Sequence, residues 1–138
     1  MATYLADKSA LTRSDFRPEV REVIEPLLLA GQIATCGIVD LELLYSAPSR
    51  AVYRALAEAL GALPRVPVTE VVVDRALEVQ SLLAARSQHR SVPLPDLLVA
   101  ACAEGAGLTV LHYDADFERI AKLTRQPAQW VVPRGSVA

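Results

Sequence analysis

Residues 93–121, PLPDLLVAACAEGAGLTVLHYDADFERIA, predict a helix, a glycine break, a short buried strand and a second helix. Asp96 lies in the first turn of the first helix, and Asp114 and Asp116 follow the strand Leu108–Tyr113. Open α/β sheets place their ligand-binding groups at helix N-termini and at the carboxyl ends of strands. These three acids therefore indicate either a metal site or simple capping of the helices.

Short apolar strands alternate with helices along the rest of the chain. The further strands are predicted at Thr3–Ala6, Ile33–Cys36, Val66–Val68 and Trp130–Val132. The further helices are predicted at Pro18–Leu29, Gly37–Ala47, Arg50–Leu60 and Glu70–Gln88. This alternation predicts an α/β fold with a central, mostly parallel sheet of about five short strands. We expect a single domain over residues 1–133 and a loose C-terminal tail at residues 134–138.

The composition limits the classes of protein to consider. The 138 residues are 52% hydrophobic and carry a net charge of −2, which argues against a disordered chain and a generic basic nucleic-acid-binding protein. No apolar run approaches the roughly 20 residues of a membrane span, and no signal-peptide pattern opens the chain. We therefore expect a cytoplasmic protein that does not contact membranes. Cys36 and Cys102 lie in apolar surroundings and are predicted to be core thiols.

Acidic residues follow two of the predicted strands. Asp7 ends the first strand and Asp114 ends the late strand, 107 positions further on. Parallel strands end at the same edge of a sheet, so these carboxylates can meet there, and Asp96 at a helix start can face the same edge. Glu42 lies on an apolar stretch of its helix, where an unpaired carboxylate is costly. No arginine of that helix is placed to pair with Glu42.

Converging carboxylates would oppose folding. Two like charges about 4 Å apart repel by roughly 4 kcal/mol at an effective dielectric constant of 20. A divalent cation would remove this cost, and ligands that are all oxygen favour Mg²⁺ or Mn²⁺. Each of the four aspartates also has a structural explanation: Asp96 could complement a helix dipole, Asp116 could cap the helix Phe117–Leu123, and Asp7 and Asp114 could be turn residues. The residues alone leave both readings open.

Four blocks carry a resemblance that covers nearly the whole chain. They are Asp7–Leu11 (DKSAL), Asp40–Ser46 (DLELLYS), Pro95–Ala101 (PDLLVAA) and His112–Phe117 (HYDADF). Their order and separation resemble PIN-domain ribonucleases, and more closely the VapC toxins of bacterial toxin–antitoxin pairs. The resemblance implies a PIN-like α/β/α sandwich, a homodimer, and Mg²⁺- or Mn²⁺-dependent endonucleolytic cleavage of RNA. The products would carry 5′-phosphate and 3′-hydroxyl ends.

The resemblance also implies site residues. The catalytic acids by position are Asp7, Glu42, Asp96 and Asp114. The metal ligands by position are Asp7, Asp96, Asp114 and Asp116. The family pattern selects Glu42 over Asp40, which we expect to be a charge on the helix surface. Ser9 matches a small polar residue that supports the first aspartate.

Two positions depart from the family pattern. Lys8 stands where many relatives carry Thr or Ser and could approach a substrate phosphate, and His112 is expected to be a strand-end residue rather than a ligand. Arg86 and Arg90 belong to a local basic cluster that either complements a helix end or contacts RNA phosphates. Arg13 is a further substrate-binding candidate on family grounds. The departures keep a second hypothesis open, a non-catalytic PIN-like module that binds a protein partner.

A cognate antitoxin protein is the partner that the resemblance implies. The apolar helices Pro18–Leu29 and Arg50–Leu60 could offer a groove for such a partner. The same helices could instead form core or a dimer surface, and the sequence does not rank these alternatives.

Overall fold

Five parallel strands form the central sheet of the protein. The computed structural model describes residues 1–138. The strands are β1 (Tyr4–Ala6), β2 (Ile33–Cys36), β3 (Arg65–Val66), β4 (Thr109–His112) and β5 (Ala128–Trp130). Their order is β3-β2-β1-β4-β5, and every neighbouring pair is parallel. The central strand β1 pairs with β4 so that Ala6 lies beside Leu111. The predicted parallel sheet is confirmed, and the carboxyl ends of β1 and β4 are adjacent.

Seven helices cover the two faces of this sheet. They are α1 (Lys8–Ser14), α2 (Pro18–Leu29), α3 (Gly37–Tyr45), α4 (Arg50–Gly61), α5 (Glu70–Ala84), α6 (Leu94–Ala106) and α7 (Ala115–Thr124). Successive residues of a strand point to opposite faces. Accordingly Leu5 belongs to a core cluster of 18 buried residues that includes side chains of α5, α6 and α7, whereas Ala6 belongs to a cluster of 8 that includes side chains of α1 and α2. The predicted α/β/α sandwich is confirmed.

Element boundaries differ from the sequence prediction where backbone contacts decide them. Helix α5 ends at Ala84 instead of Gln88, because Ser87 takes a left-handed conformation with a φ of 55° and the Gln88 amide donates back to the Leu83 carbonyl. Strand β5 starts two residues earlier than predicted, at Ala128, and pairs with β4. None of the seven helices combines the length and apolar character needed to span a membrane.

The C-terminal segment (residues 134–138), which the sequence suggested as a loose tail, makes several hydrogen bonds to the domain. The Tyr113 hydroxyl donates to the Val137 carbonyl at 2.7 Å and accepts from the Gly135 amide at 2.9 Å. Arg13 Nε donates to the Ala138 carbonyl at 3.2 Å. These contacts depend on a tyrosine at the end of β4 and an arginine of α1, both far from the segment in sequence.

Candidate metal and catalytic site

Two aspartates begin helices at the carboxyl ends of the adjacent strands β1 and β4. Asp7 caps α1, and its Oδ2 accepts from the Ser9 amide at 3.0 Å. Asp114 caps α7, and its Oδ1 accepts from the Asp116 amide at 2.9 Å. The alternative in which Asp116 caps this helix is therefore wrong, because Asp116 lies inside the first turn. The strand pairing holds the two caps together, since the Asp7 amide donates to the Leu111 carbonyl at 2.9 Å.

Three carboxylates converge at this edge of the sheet. Asp96 lies in the first turn of α6 and is only 7% exposed. One carboxylate oxygen from each of Asp96, Asp114 and Asp116 lies within 4.8 Å of the others. Arg119 Nη1 donates to Asp116 Oδ1 at 3.1 Å, so one oxygen of this group is already neutralised by a cation of the same helix.

The other two predicted acids, Asp7 and Glu42, interact electrostatically with this group. Burial raises the pKa of Asp96 to about 8, and the charges of Asp7, Asp114 and Asp116 add to the rise. Burial also raises the pKa of Asp7, the hydrogen bonds from Ser9 oppose that rise, and the Glu42 charge adds to it. Like charges raise one another's pKa when they lie near each other. The structure thus holds carboxylate oxygens of Asp96, Asp114 and Asp116 within 4.8 Å of one another, with Asp7 and Glu42 in their vicinity, and we call these five residues the acid cluster.

Several oxygens of this acid cluster have no hydrogen-bond partner. Asp7 Oδ1, Glu42 Oε1 and Asp96 Oδ2 are buried and unpartnered. A buried acceptor without a partner costs about 1–3 kcal/mol. Hard oxygen donors with free lone pairs are the ligands that Mg²⁺-like and Ca²⁺-like cations require. The donor set therefore fits a divalent metal ion.

Residues of α1 support the acid cluster. Lys8 Nζ lies 3.3 Å from Glu42 Oε2, so the positive charge missing from the helix of Glu42 comes from α1. Ser9 Oγ accepts from the Tyr113 amide at 2.9 Å, which ties the start of α1 to the end of β4. Arg13 Nη1 donates to the Ser9 carbonyl at 2.8 Å, and its guanidinium carbon lies 4.5 Å from the centroid of the Tyr113 ring. Arg13 is thus engaged in contacts within the protein.

His112 has a structural role that the sequence did not reveal. It is fully buried, and its ring centroid lies 5.1 Å from that of Phe117 and 4.9 Å from that of Trp130. Burial lowers the pKa of His112 to about 4, so the ring is neutral. Its Nδ1 accepts from the Asp114 amide at 3.1 Å and so orients the backbone of that acid. Its position two residues before Asp114 is the only sequence signal for this contact.

Asp40 is not the surface charge that the sequence suggested. It is only 6% exposed, accepts from Thr35 Oγ1 at 2.6 Å, and lies 2.5 Å from Arg65 Nη2. Thr35 and Arg65 belong to β2 and β3, so Asp40 joins the start of α3 to the edge of the sheet. The prediction failed because both partners lie outside the helix of Asp40.

A basic cavity of about 340 Å³ adjoins the acid cluster. We call it the basic cleft, and its charged lining residues are Arg86, Glu118, Arg119, Lys122 and Arg134. The sequence pointed to Arg86, whereas the exposed Arg90 does not line the cleft. The sequence did not identify the other three cations of the cleft, which are Arg119, Lys122 and Arg134. The spacing of Arg119 and Lys122, three residues apart on α7, is the signal that could have identified them.

An apolar groove lies among helices α1, α2, α3 and α4. Its volume is about 560 Å³, and its lining includes Leu11 of α1, Ile24 and Leu28 of α2, and Leu56 and Leu60 of α4. A groove between the predicted helices Pro18–Leu29 and Arg50–Leu60 was one of the alternatives that the sequence left open. The structure contains this groove.

The parallel sheet and the acids beyond β1 and β4 define a PIN-type domain, and the model of the PIN domain family matches residues 4–123. The chain belongs to the PIN-domain family and, within it, to the VapC proteins. "Ribonuclease VapC21" of Mycobacterium tuberculosis is 49% identical over 134 residues, which are 96% of each chain. "Ribonuclease VapC51" of the same species is also 49% identical, over 97% of this chain and 96% of that protein. The resemblance seen in the sequence is confirmed.

Solved structures show the same fold. The VapBC structure from Salmonella typhimurium bound to DNA matches with a TM-score of 0.75 at 21% identity, over 96% of this chain and 100% of that chain. A toxin–antitoxin complex from Klebsiella pneumoniae matches with a TM-score of 0.73 at 17% identity, over 94% of this chain and 98% of that chain. At these identities the likeness establishes the α/β/α fold.

Proposed function

We propose that this chain is a Mg²⁺- or Mn²⁺-dependent endoribonuclease and the toxin of a toxin–antitoxin pair. The observation that carries the proposal is the acid cluster with unpartnered carboxylate oxygens, in a chain 49% identical to proteins named ribonuclease VapC. Five acids at one sheet edge exceed what capping requires, because only Asp7 and Asp114 accept hydrogen bonds as caps there. Those relatives are named ribonucleases, so RNA is the proposed substrate.

Asp7, Asp96, Asp114 and Asp116 would hold the cation. When bound, the cation would supply Lewis-acid activation of water and would balance the negative charge that develops on the phosphodiester. The chain orients these ligands through the two helix caps and through His112. Lys8 holds Oε2 of Glu42, which leaves Oε1 free to accept a hydrogen bond from the attacking water. In-line hydrolysis by water would leave 5′-phosphate and 3′-hydroxyl ends.

The proposed partners are an RNA substrate, a cognate antitoxin and a second copy of the chain. The structural neighbour from Klebsiella pneumoniae is a toxin–antitoxin complex and the one from Salmonella typhimurium is VapBC bound to DNA. The apolar groove between α2 and α4 offers a surface for an apolar antitoxin segment. Leu41 and Tyr45 of α3 are 68% and 91% exposed and lie one turn apart, as expected of a face buried in a homodimer. Cleavage of cellular RNA would place the protein in the cytoplasm.

The decisive experiment is cleavage of a labelled RNA pool in Mg²⁺, in Mn²⁺ and in chelator. Asp7→Asn and Asp96→Asn variants should lose cleavage, whereas the matched control Asp74→Asn, an exposed residue of α5, should retain it. End analysis should find 5′-phosphates. Cleavage that persists in both site variants would refute the assignment of the acids. Absence of both cleavage and metal binding would favour the non-catalytic interaction module.

A further inference from the structure

We propose that the basic cleft binds backbone phosphates of the RNA strand next to the cut. This inference rests on the proposed ribonuclease function, because it assigns the path of the substrate beyond the acid cluster. The cleft is formed by the turn after α5, by one face of α7 and by the segment after β5. Its cations come from all three places: Arg86, Arg119 and Lys122, and Arg134.

The cleft carries an excess of positive charge. Glu118 is its one acid, and both of its oxygens are engaged: Trp130 Nε1 donates to Oε1 at 2.7 Å, and Arg134 Nη1 lies 3.3 Å from Oε2. Arg86 and Lys122 have no carboxylate within 4.0 Å. Unpaired cations that converge on one cavity, in a chain whose net charge is −2, indicate an anionic ligand.

The cleft is continuous with the acid cluster. Arg119 Nη1 donates both to Asp116 Oδ1 at 3.1 Å and to the Ser91 carbonyl at 3.2 Å, so one guanidinium forms the boundary between the two sites. Ala115, which lies between Asp114 and Asp116 in the chain, also lines the cleft. A strand whose scissile phosphate lies at the acid cluster would therefore extend its neighbouring phosphates into the cleft.

The chemistry of the lining favours phosphates over bases. No aromatic ring lines the cleft, so it has no platform on which a base can stack. Arginine forks and lysine ammonium groups suit phosphate oxygens, and phosphate contacts position a strand without reading its sequence. The cleft is thus a site that positions the RNA strand through its backbone.

The test is the affinity for a fluorescent single-stranded RNA, measured by anisotropy in chelator so that no cleavage occurs. Arg86→Gln combined with Lys122→Gln removes the two unpaired cations. Each lost phosphate contact should reduce the salt slope of log Kd by about 0.7 for a single strand, so the loss of two contacts should weaken binding about 25-fold near 0.1 M salt. The matched control is Arg50→Gln with Arg54→Gln, two exposed cations of α4 outside the cleft.

The controls separate this inference from the proposed function. The charge-preserving Arg86→Lys with Lys122→Arg should retain wild-type affinity and salt slope, and thermal unfolding of all variants checks that they fold. Equal losses in the cleft variant and the α4 control would overturn the inference, because RNA would then respond to the overall charge of the protein and not to the cleft. That result would leave metal-dependent cleavage untouched. RNA binding that depends on the cleft, by a protein that never cuts, would support phosphate binding in the cleft while refuting the ribonuclease.

Discussion

Replacing Asp96 by asparagine should stabilise the metal-free protein, and the gain should grow with pH. In the folded chain burial and the neighbouring acids raise the pKa of Asp96 from its ordinary value of 3.8 to about 8. Between pH 3.8 and about pH 8 the folded chain binds more protons than the unfolded chain. The free energy of unfolding of the wild type therefore falls as pH rises through this window. Asparagine does not ionise, so the Asp96→Asn variant lacks this fall.

The magnitude follows from the width of the window. Each pH unit within it costs up to 1.36 kcal/mol, so the free energy of unfolding of the wild type should lose about 4 kcal/mol relative to the variant between about pH 5 and about pH 8. Because Asp96 is only 7% exposed, solvent screens this penalty little. The figure is comparable to a large part of a domain's net stability of about 5–15 kcal/mol.

The assay is urea unfolding in chelator near pH 5 and near pH 8, for the wild type, Asp96→Asn and the exposed control Asp74→Asn. A divalent cation at about 100 times its Kd should add about 2.7 kcal/mol to the wild type and much less to Asp96→Asn. A gap between Asp96→Asn and the wild type that is the same at both pH values would refute the reasoning, because it would show that Asp96 is ionised in the metal-free fold.

Three further substitutions test single contacts. Lys8→Gln should lower the stability of the metal-free protein by less than about 1 kcal/mol, since the ion pair of Lys8 with Glu42 is partly exposed. The variant should also bind a divalent cation more tightly in calorimetry, because a competing positive charge is lost. Weaker cation binding would contradict this reasoning. Thr35→Val should cost about 1–3 kcal/mol in urea unfolding, because buried Asp40 loses its hydroxyl donor, and an unchanged midpoint would argue against that contact. Tyr113→Phe should cost about 1 kcal/mol and speed hydrogen exchange in the C-terminal segment, where unaltered exchange would show that the hydroxyl does not hold it.

The sheet and its two helical layers were predictable because their signals are local. Short apolar runs, helical spacing and helix-capping residues each occupy a few consecutive positions. Asp7 and Asp114 could be placed at one edge because parallel strands share a direction, so a residue after one strand meets a residue after another. The convergence of the carboxylates was likewise inferable, once the order of the acidic blocks suggested the family.

Contacts between distant elements could not be predicted in the same way. The partners of Glu42 and Asp40 are Lys8 and Arg65, which belong to other elements and have no fixed spacing from them. A pattern restricted to α3 therefore gave a wrong environment for Asp40. The basic cleft escaped detection for the same reason, because its cations come from three segments that only the folded chain brings together.

The pairing of β1 with β4 has a consequence for synthesis of the chain. The acid cluster needs Asp7 from near the start and Asp114 from near the end, and the strand that unites them is not made until more than three-quarters of the 138 residues have been translated. A ribosome-bound or prematurely terminated chain that stops before β4 lacks this cluster. Every such fragment should be harmless to RNA, so the timing of translation itself delays the nuclease until the product is nearly whole.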